Sequence, residues 1–178
     1  MLITNPPNIK KKQTTHIIHA INKRSDFIQL NCKTLTEKNV ETRLCDDPSD
    51  SISGRREKSC FNTATGSTLF LENADALPLI GQQLLYAAVK RQQYRPLGED
   101  VPRAVEFRLI TASSRDLKQL IDSGEFLREL YELLNALPMT IPPLRERPKN
   151  IMTLLKYFRM SRIKKVSRRT MELLHSHQ

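Results

Sequence analysis

Glu72 and Asn73 close an apolar run that starts at Gly66 and reads Gly-Ser-Thr-Leu-Phe-Leu-Glu-Asn. A continuous apolar run held between glycine and polar residues marks a buried central strand of a parallel α/β sheet. Ligands of such sheets lie beyond the carboxyl ends of the strands, so this pair would face a bound ligand and its metal. The Glu72 carboxylate could hold a divalent cation there. The Asn73 amide cannot take a proton at neutral pH, so it cannot act as general base toward a water. A second group of interest is Lys10-Lys11-Lys12, a short basic run that by itself reads as a solvated lysine cluster.

The elements that would position these residues alternate between strand and helix. Met1 to Thr4 reads as the end of a strand, and Gln13 to Asn22 as a helix with Ile17, Ile18 and Ile21 on one side. Phe27 to Asn31 forms a second strand and Thr68 to Leu71 a third. Pro78 suits the first turn of a helix, and Leu77, Ile80, Leu84, Leu85 and Ala88 then recur at helical spacing through Lys90. Phe107 to Ala112 is a fourth strand, and Arg115 to Leu120 starts a short helix. This alternation predicts a parallel sheet with crossover helices. After Pro142-Pro143 the character changes. Ile151, Leu154, Leu155 and Phe158 share a helical face, and Ser167 suits the N-cap of a helix over Arg168 to His175. The expected division is therefore an α/β unit over 1–142 and a small helical unit over 143–178.

With 178 residues, 39% of them hydrophobic, the chain can bury a real core. It has no apolar run near the roughly 20 residues of a membrane-spanning helix, and its start lacks a signal peptide's apolar stretch. A cytoplasmic protein is expected, with no membrane partner. Cys32, Cys45 and Cys60 are widely spaced without a C-x-x-C pair, which predicts free thiols and no zinc site. His175 and His177 read as a frayed terminus rather than metal ligands. Of the net charge of +10, about +8 lies in residues 145–178, where ten Lys/Arg face Glu146 and Glu172. That excess fits a solvated helical surface, or an electrostatic footprint for nucleic acid or an acidic partner. The segment has no base-reading motif.

Several blocks resemble, in order and spacing, the AAA+ ATPase (sigma-54 interaction) domain of bacterial sigma-54-dependent transcription activators, the NtrC-like family. Thr68 to Asn73 resembles that family's GGTLFLDE strand. Phe27 to Cys32 is similar to PFVxVNC, Arg108 to Leu117 to RIIAATNRDL, and Gly124 to Asn135 to GxFREDLYYRLN. Pro142 to Arg147 reproduces the PPLRER box. The resemblance implies a P-loop NTPase-like, three-layer αβα parallel sheet (an AAA+ core) followed by a partial α-helical lid. It also implies a role in transcription control.

The same resemblance implies that the working positions are altered. Leu2 to Lys11 aligns with the phosphate loop LITGESGTGK, where Asn5, Asn8 and Lys10 stand in place of three glycines. Such a loop needs glycine so that successive N–H groups can curl around phosphate, whereas Pro6 and Pro7 each remove an N–H group. Lys11 is the remnant of the phosphate-loop lysine, and its plain alternative is a solvated lysine cluster. Glu72 replaces the Mg²⁺-holding Asp, and Asn73 the water-activating Glu. Ser114 replaces the sensor Asn. Leu127 and Leu133 replace two arginines offered to the neighbouring subunit, and leucine cannot stabilise developing phosphoryl charge. Arg128 lies beside the first of these, turned by about 100° along the helix. Asp50 to Arg55 falls on the sigma-contacting loop GAFTGA, where Ile52 replaces an aromatic, Ser53 and Gly54 keep the motif's character, and Arg55 replaces Ala.

Both ends also look cut relative to that family. The expectation is a degenerate domain with a regulatory or vestigial role, no catalytic residues, no metal, no ATP turnover and no ATP-dependent hexamer. A weak contact with sigma-54 or a related regulator is its expected partner. One alternative is a nucleotide-binding regulator with residual ATPase function, using ATP and Mg²⁺ through Lys11, Glu72 and Arg128. The other is a basic module that binds nucleic acid non-specifically through residues 145–178.

Overall fold

The computed structural model describes residues 1–4, 26–45 and 59–140, together with Thr15 and His19, both helical. The proposed helix over Gln13 to Asn22 otherwise lies outside the described residues. So do residues 5–14, 46–58 and 141–178, which include the expected phosphate loop, sigma-contact loop and lid.

Five strands make one sheet: β1 (Leu2–Thr4), β2 (Phe27–Asn31), β3 (Thr68–Glu72), β6 (Arg108–Ser113) and β7 (Pro138–Thr140), in the order β2-β3-β6-β1-β7. Every neighbouring pair is parallel. Two further short strands, β4 (Gln93–Tyr94) and β5 (Arg103–Ala104), pair antiparallel in a separate ribbon. The third strand is buried from Thr68 to Leu71, as its unbroken apolar run predicts. Successive side chains on a strand point to opposite faces, and the core divides accordingly. Leu2, Leu69 and Leu71 join the larger apolar cluster, while Ile3, Phe70, Ile110 and Ala112 form a second one. The Phe27 and Phe70 rings stack at 5.9 Å beside that second cluster.

The larger cluster is covered by α1 (Val40–Leu44), α2 (Cys60–Ala64), α3 (Leu79–Arg91), α4 (Leu117–Asp122) and α5 (Arg128–Leu134). Ser59 caps α2 by accepting from the Asn62 N–H, and Asp116 caps α4 by accepting from the Lys118 N–H. Pro78 is the residue before α3 rather than part of its first turn. The buried face of α3 is Gly81, Gln82, Leu85 and Ala88, whereas Ile80 is exposed and Leu84 only half-buried. Of the apolar positions expected from spacing, Leu77, Leu85 and Ala88 are buried, while Ile80 and Leu84 are displaced from the core by Gly81 and Gln82. Gly81 lets α3 approach α1: a Cβ there would meet Val40 Cγ2 at 2.5 Å.

Strands β1, β2, β3 and β6 match the sequence reading to within a residue or two. The ribbon β4–β5 and the edge strand β7 were not foreseen. β4 and β5 have two residues each, and β7 is exposed throughout, so none carries an apolar signal.

Candidate functional site

The parallel sheet brings the carboxyl ends of β1, β3 and β6 to one edge. Thr4 lies opposite Ser113, and Glu72 opposite Ala112 and Asn31. The first strand sits between β6 and β7, while the chain leaves it for the far side of the sheet. Such a reversal of strand order is where α/β sheets form their ligand crevice.

At the end of β3, Glu72 is half-buried, and its Oε2 accepts a hydrogen bond from Gln29 Nε2 at 2.9 Å. Asn73 follows in the left-handed region, with φ 56° and ψ 52°, a conformation asparagine tolerates better than most side chains. Its Nδ2 donates to Asn31 Oδ1 at 2.9 Å, and that oxygen also accepts from the Lys33 N–H at 3.1 Å. The amide of Asn73 is thus held against the end of β2. It offers no group that could take a proton from water.

At the end of β6, Ser113 is buried and Ser114 half-buried. Asp75, in the 3₁₀ turn Ala74–Ala76, reaches both: its Oδ1 accepts from Ser113 Oγ at 3.0 Å and from the Ser114 N–H at 3.0 Å. Ser113 Oγ also lies 2.7 Å from the Arg115 carbonyl oxygen, so its one hydrogen is shared. Thr4 Oγ1 and Thr140 Oγ1 stand 3.2 Å apart across the ends of β1 and β7. A cavity of about 540 Å³ opens beside these strand ends, lined by Thr4, Ser114, Arg115, Tyr131 and Thr140 among others.

Leu127 and Leu133 are not gathered with Glu72, Asn73 and Ser114. Both are half-buried and pack against the larger apolar cluster. Leu127 is also fixed through its backbone, whose N–H donates to Gln82 Oε1 at 2.8 Å. Gln82 is fully buried, and its Nε2 donates to the Leu77 carbonyl at 2.8 Å and the Glu125 carbonyl at 3.0 Å. Every polar atom of that amide has a partner, as burial requires. Arg128 is exposed. Lys11, Asn5, Asn8, Ile52, Ser53 and Gly54 lie outside the described residues.

All three cysteines are buried free thiols. Burial pushes the Cys32 thiol up to about 12, helped by the nearby Cys60, Asp75 and Glu72. Burial likewise pushes Cys60 up to about 12, against the opposing effect of Arg43. At neutral pH they are inert packing groups rather than nucleophiles.

The sequence reading missed Gln29, Asn31, Asp75 and Gln82. Asn31 lay inside a motif block, and Gln82 stands three residues before Leu85, a core position on the helix. Gln29 lay in that same block, but all four depend on partners from other elements, which a single strand or helix pattern does not disclose.

Among known proteins, the family model described as the Sigma-54 interaction domain matches residues 1–140. Regulatory protein LuxO of Vibrio cholerae is 32% identical over 162 residues, which is 89% of this chain and 31% of LuxO. The solved structure of NtrX from Brucella abortus in complex with ATP aligns with a TM-score of 0.76 and 25% identity, over 88% of this chain and 36% of that one. The P-loop NTPase domain of a sigma-54 activator from E. coli shares the fold at a TM-score of 0.50 and 20% identity, covering 81% and 83% of the two chains. The chain spans about a third of the length of the LuxO relative.

Proposed function

We propose, from the premise that this chain belongs to the sigma-54 interaction domain family, that it is a regulatory AAA+ domain in transcription control that does not turn over ATP. One observation carries the reading. At the end of β3, where the resemblance implies a water-activating group, an amide stands hydrogen-bonded to another amide: Asn73 Nδ2 to Asn31 Oδ1 at 2.9 Å. A general base must accept the proton it removes, and neither amide can.

The fit to a nucleotide with its metal is partial. Glu72 offers a carboxylate with one oxygen engaged by Gln29, so a cation ligand exists. At the Asn73 position the described residues offer an amide and no proton acceptor for a water. Leu127 and Leu133 support the same conclusion, since both bury against the core and carry no charge toward a neighbouring subunit. Contact with sigma-54 through Ile52, Ser53 and Gly54, non-specific nucleic-acid binding through residues 145–178, and the lid over 143–178 remain parts of this proposal.

A second reading, nucleotide binding without hydrolysis through Lys11, Asn5 and Asn8, is favoured by the similarity to NtrX, whose structure was solved with ATP. Phosphate release on the purified chain tests the absence of turnover that both share, and ATP-binding titration separates the two. Background phosphate release is expected. ATP turnover that disappears in Lys11→Ala would overturn the main reading, and saturable binding without turnover selects the second.

A further inference from the structure

Backbone N–H groups and hydroxyls at the carboxyl edge of a parallel sheet are the donors with which such folds hold anionic ligands. In this chain two of them, the Ser114 N–H and the Ser113 hydroxyl, whose one hydrogen is shared with the Arg115 carbonyl at 2.7 Å, converge on one internal oxygen, Asp75 Oδ1, each at 3.0 Å. Asp75 reaches them from the turn that follows β3, so the contact ties the end of β3 to the end of β6. Ser113 is buried and the two ends are neighbours in the sheet, so the carboxylate sits in a fixed place. Hydrogen bonds to an ionised acceptor are about twice as strong as neutral ones.

We propose that Asp75 is a built-in anion: its carboxylate fills the position that an external phosphate would take on the Ser113–Ser114 donors, and holds the end of β6 in one arrangement whether or not a phosphate ligand is present. The inference rests on the regulatory reading above and deepens it, because an edge that supplies its own anion does not report on a bound one. Asp75 is here a positioning residue and takes part in no reaction.

The test follows the Ser114 amide by NMR in the full chain, with inorganic phosphate as the probe. In the unaltered chain, Ser114 should exchange slowly and show no shift on adding phosphate. In Asp75→Ala, its exchange should rise by about tenfold or more, the size of a lost charge-assisted bond. The Ile110 and Thr111 amides should keep their rates, and phosphate should now shift the Ser114 signal. Asp75→Asn keeps the shape and an acceptor oxygen, so it protects the fold while removing the charge; a smaller rise in Ser114 exchange is expected. A phosphate-induced shift at Ser114 in the unaltered chain would overturn the proposal. So would Asp75→Asn exchanging as slowly as the parent, or a rise spread evenly over Ile110, Thr111 and Ser114. ATP turnover by the unaltered chain would defeat the preceding reading and with it the regulatory meaning of this edge, whereas the Ser114 exchange rates test the Asp75 contact by themselves.

Discussion

The middle of the sheet and its carboxyl edge obey different rules. In the middle, Leu69, Phe70, Leu71 and Ile110 are completely buried, and each is the kind of residue a two-faced parallel strand requires. At the edge, where β2, β3 and β6 end, the side chains satisfy one another: Glu72 with Gln29 reaching from mid-strand, Asn31 with Asn73, and Asp75 of the following turn with Ser113 and Ser114. Packing constrains volume and apolarity, and many sequences meet it. Catalysis constrains individual atoms, whereas an edge that carries amides beside its carboxylates folds once each polar group finds a partner. The scaffold and the chemistry can therefore part company within one strand.

The largest effect should come from the middle. Phe70→Ala removes a fully buried ring that stacks on Phe27, and should cost about 3–5 kcal/mol in denaturant unfolding. A cost below that of a typical surface change would break the contrast between middle and edge. Alkali should act next, through the buried thiols. Cys32 and Cys60 stand near 12 in the fold against 9.0 ordinarily, so between those pH values the unfolded chain binds fewer protons than the folded one. Stability is therefore retained below pH 9 and falls as pH rises toward 12. Cys32→Ala should flatten that decline in a pH series of urea midpoints, and an unchanged slope would remove the thiols as its cause.

Gln82 sharpens the comparison, because it is an edge-like amide placed in the core. Gln82→Leu leaves the Leu77 and Glu125 carbonyls and the Leu127 N–H without their partner, and should cost about 2–3 kcal/mol in the same unfolding measurement. Loosening should concentrate around Leu127, read as faster amide exchange there than at Phe70. Gly81→Ala should come lower, at about 1–2 kcal/mol. The new methyl meets the branched Val40 side chain at 2.5 Å, while alanine's better helix propensity returns part of the loss.

What the sequence disclosed follows the same division. The run from Thr68 to Leu71 announced its strand because burial on both faces leaves a continuous apolar signal, and the motif blocks from Phe27 to Asn135 carried the fold. Glu72, Asn73 and Ser114 could be assigned to one edge because a strand's end is fixed once the strand is known. Asp75 could not be assigned, since its meaning depends on β6 lying beside β3, thirty-odd residues later in the chain. In helix α3 the spacing found Leu85 and Ala88 but not Gly81 and Gln82, because a buried glutamine and glycine do not register as apolar.

The smallest effect is expected at Asn73, the residue on which the functional reading turns. Its backbone lies at φ 56°, where glycine is unstrained, asparagine is tolerated and alanine pays a steric penalty. Its side chain contributes one amide–amide hydrogen bond, to Asn31. Asn73→Gly loses that bond and relieves the backbone, two terms of about 1 kcal/mol with opposite sign, so the net change should stay within about 0.5 kcal/mol. Asn73→Ala loses the bond and keeps the strain, and should be less stable than the glycine variant by about 1 kcal/mol. Equal stabilities for the two variants would mean that the left-handed backbone does not govern this position. A glycine variant weakened as much as Gln82→Leu would mean that the Asn31–Asn73 contact supports the fold as the core does, and the separation between middle and edge would fail at its most important residue.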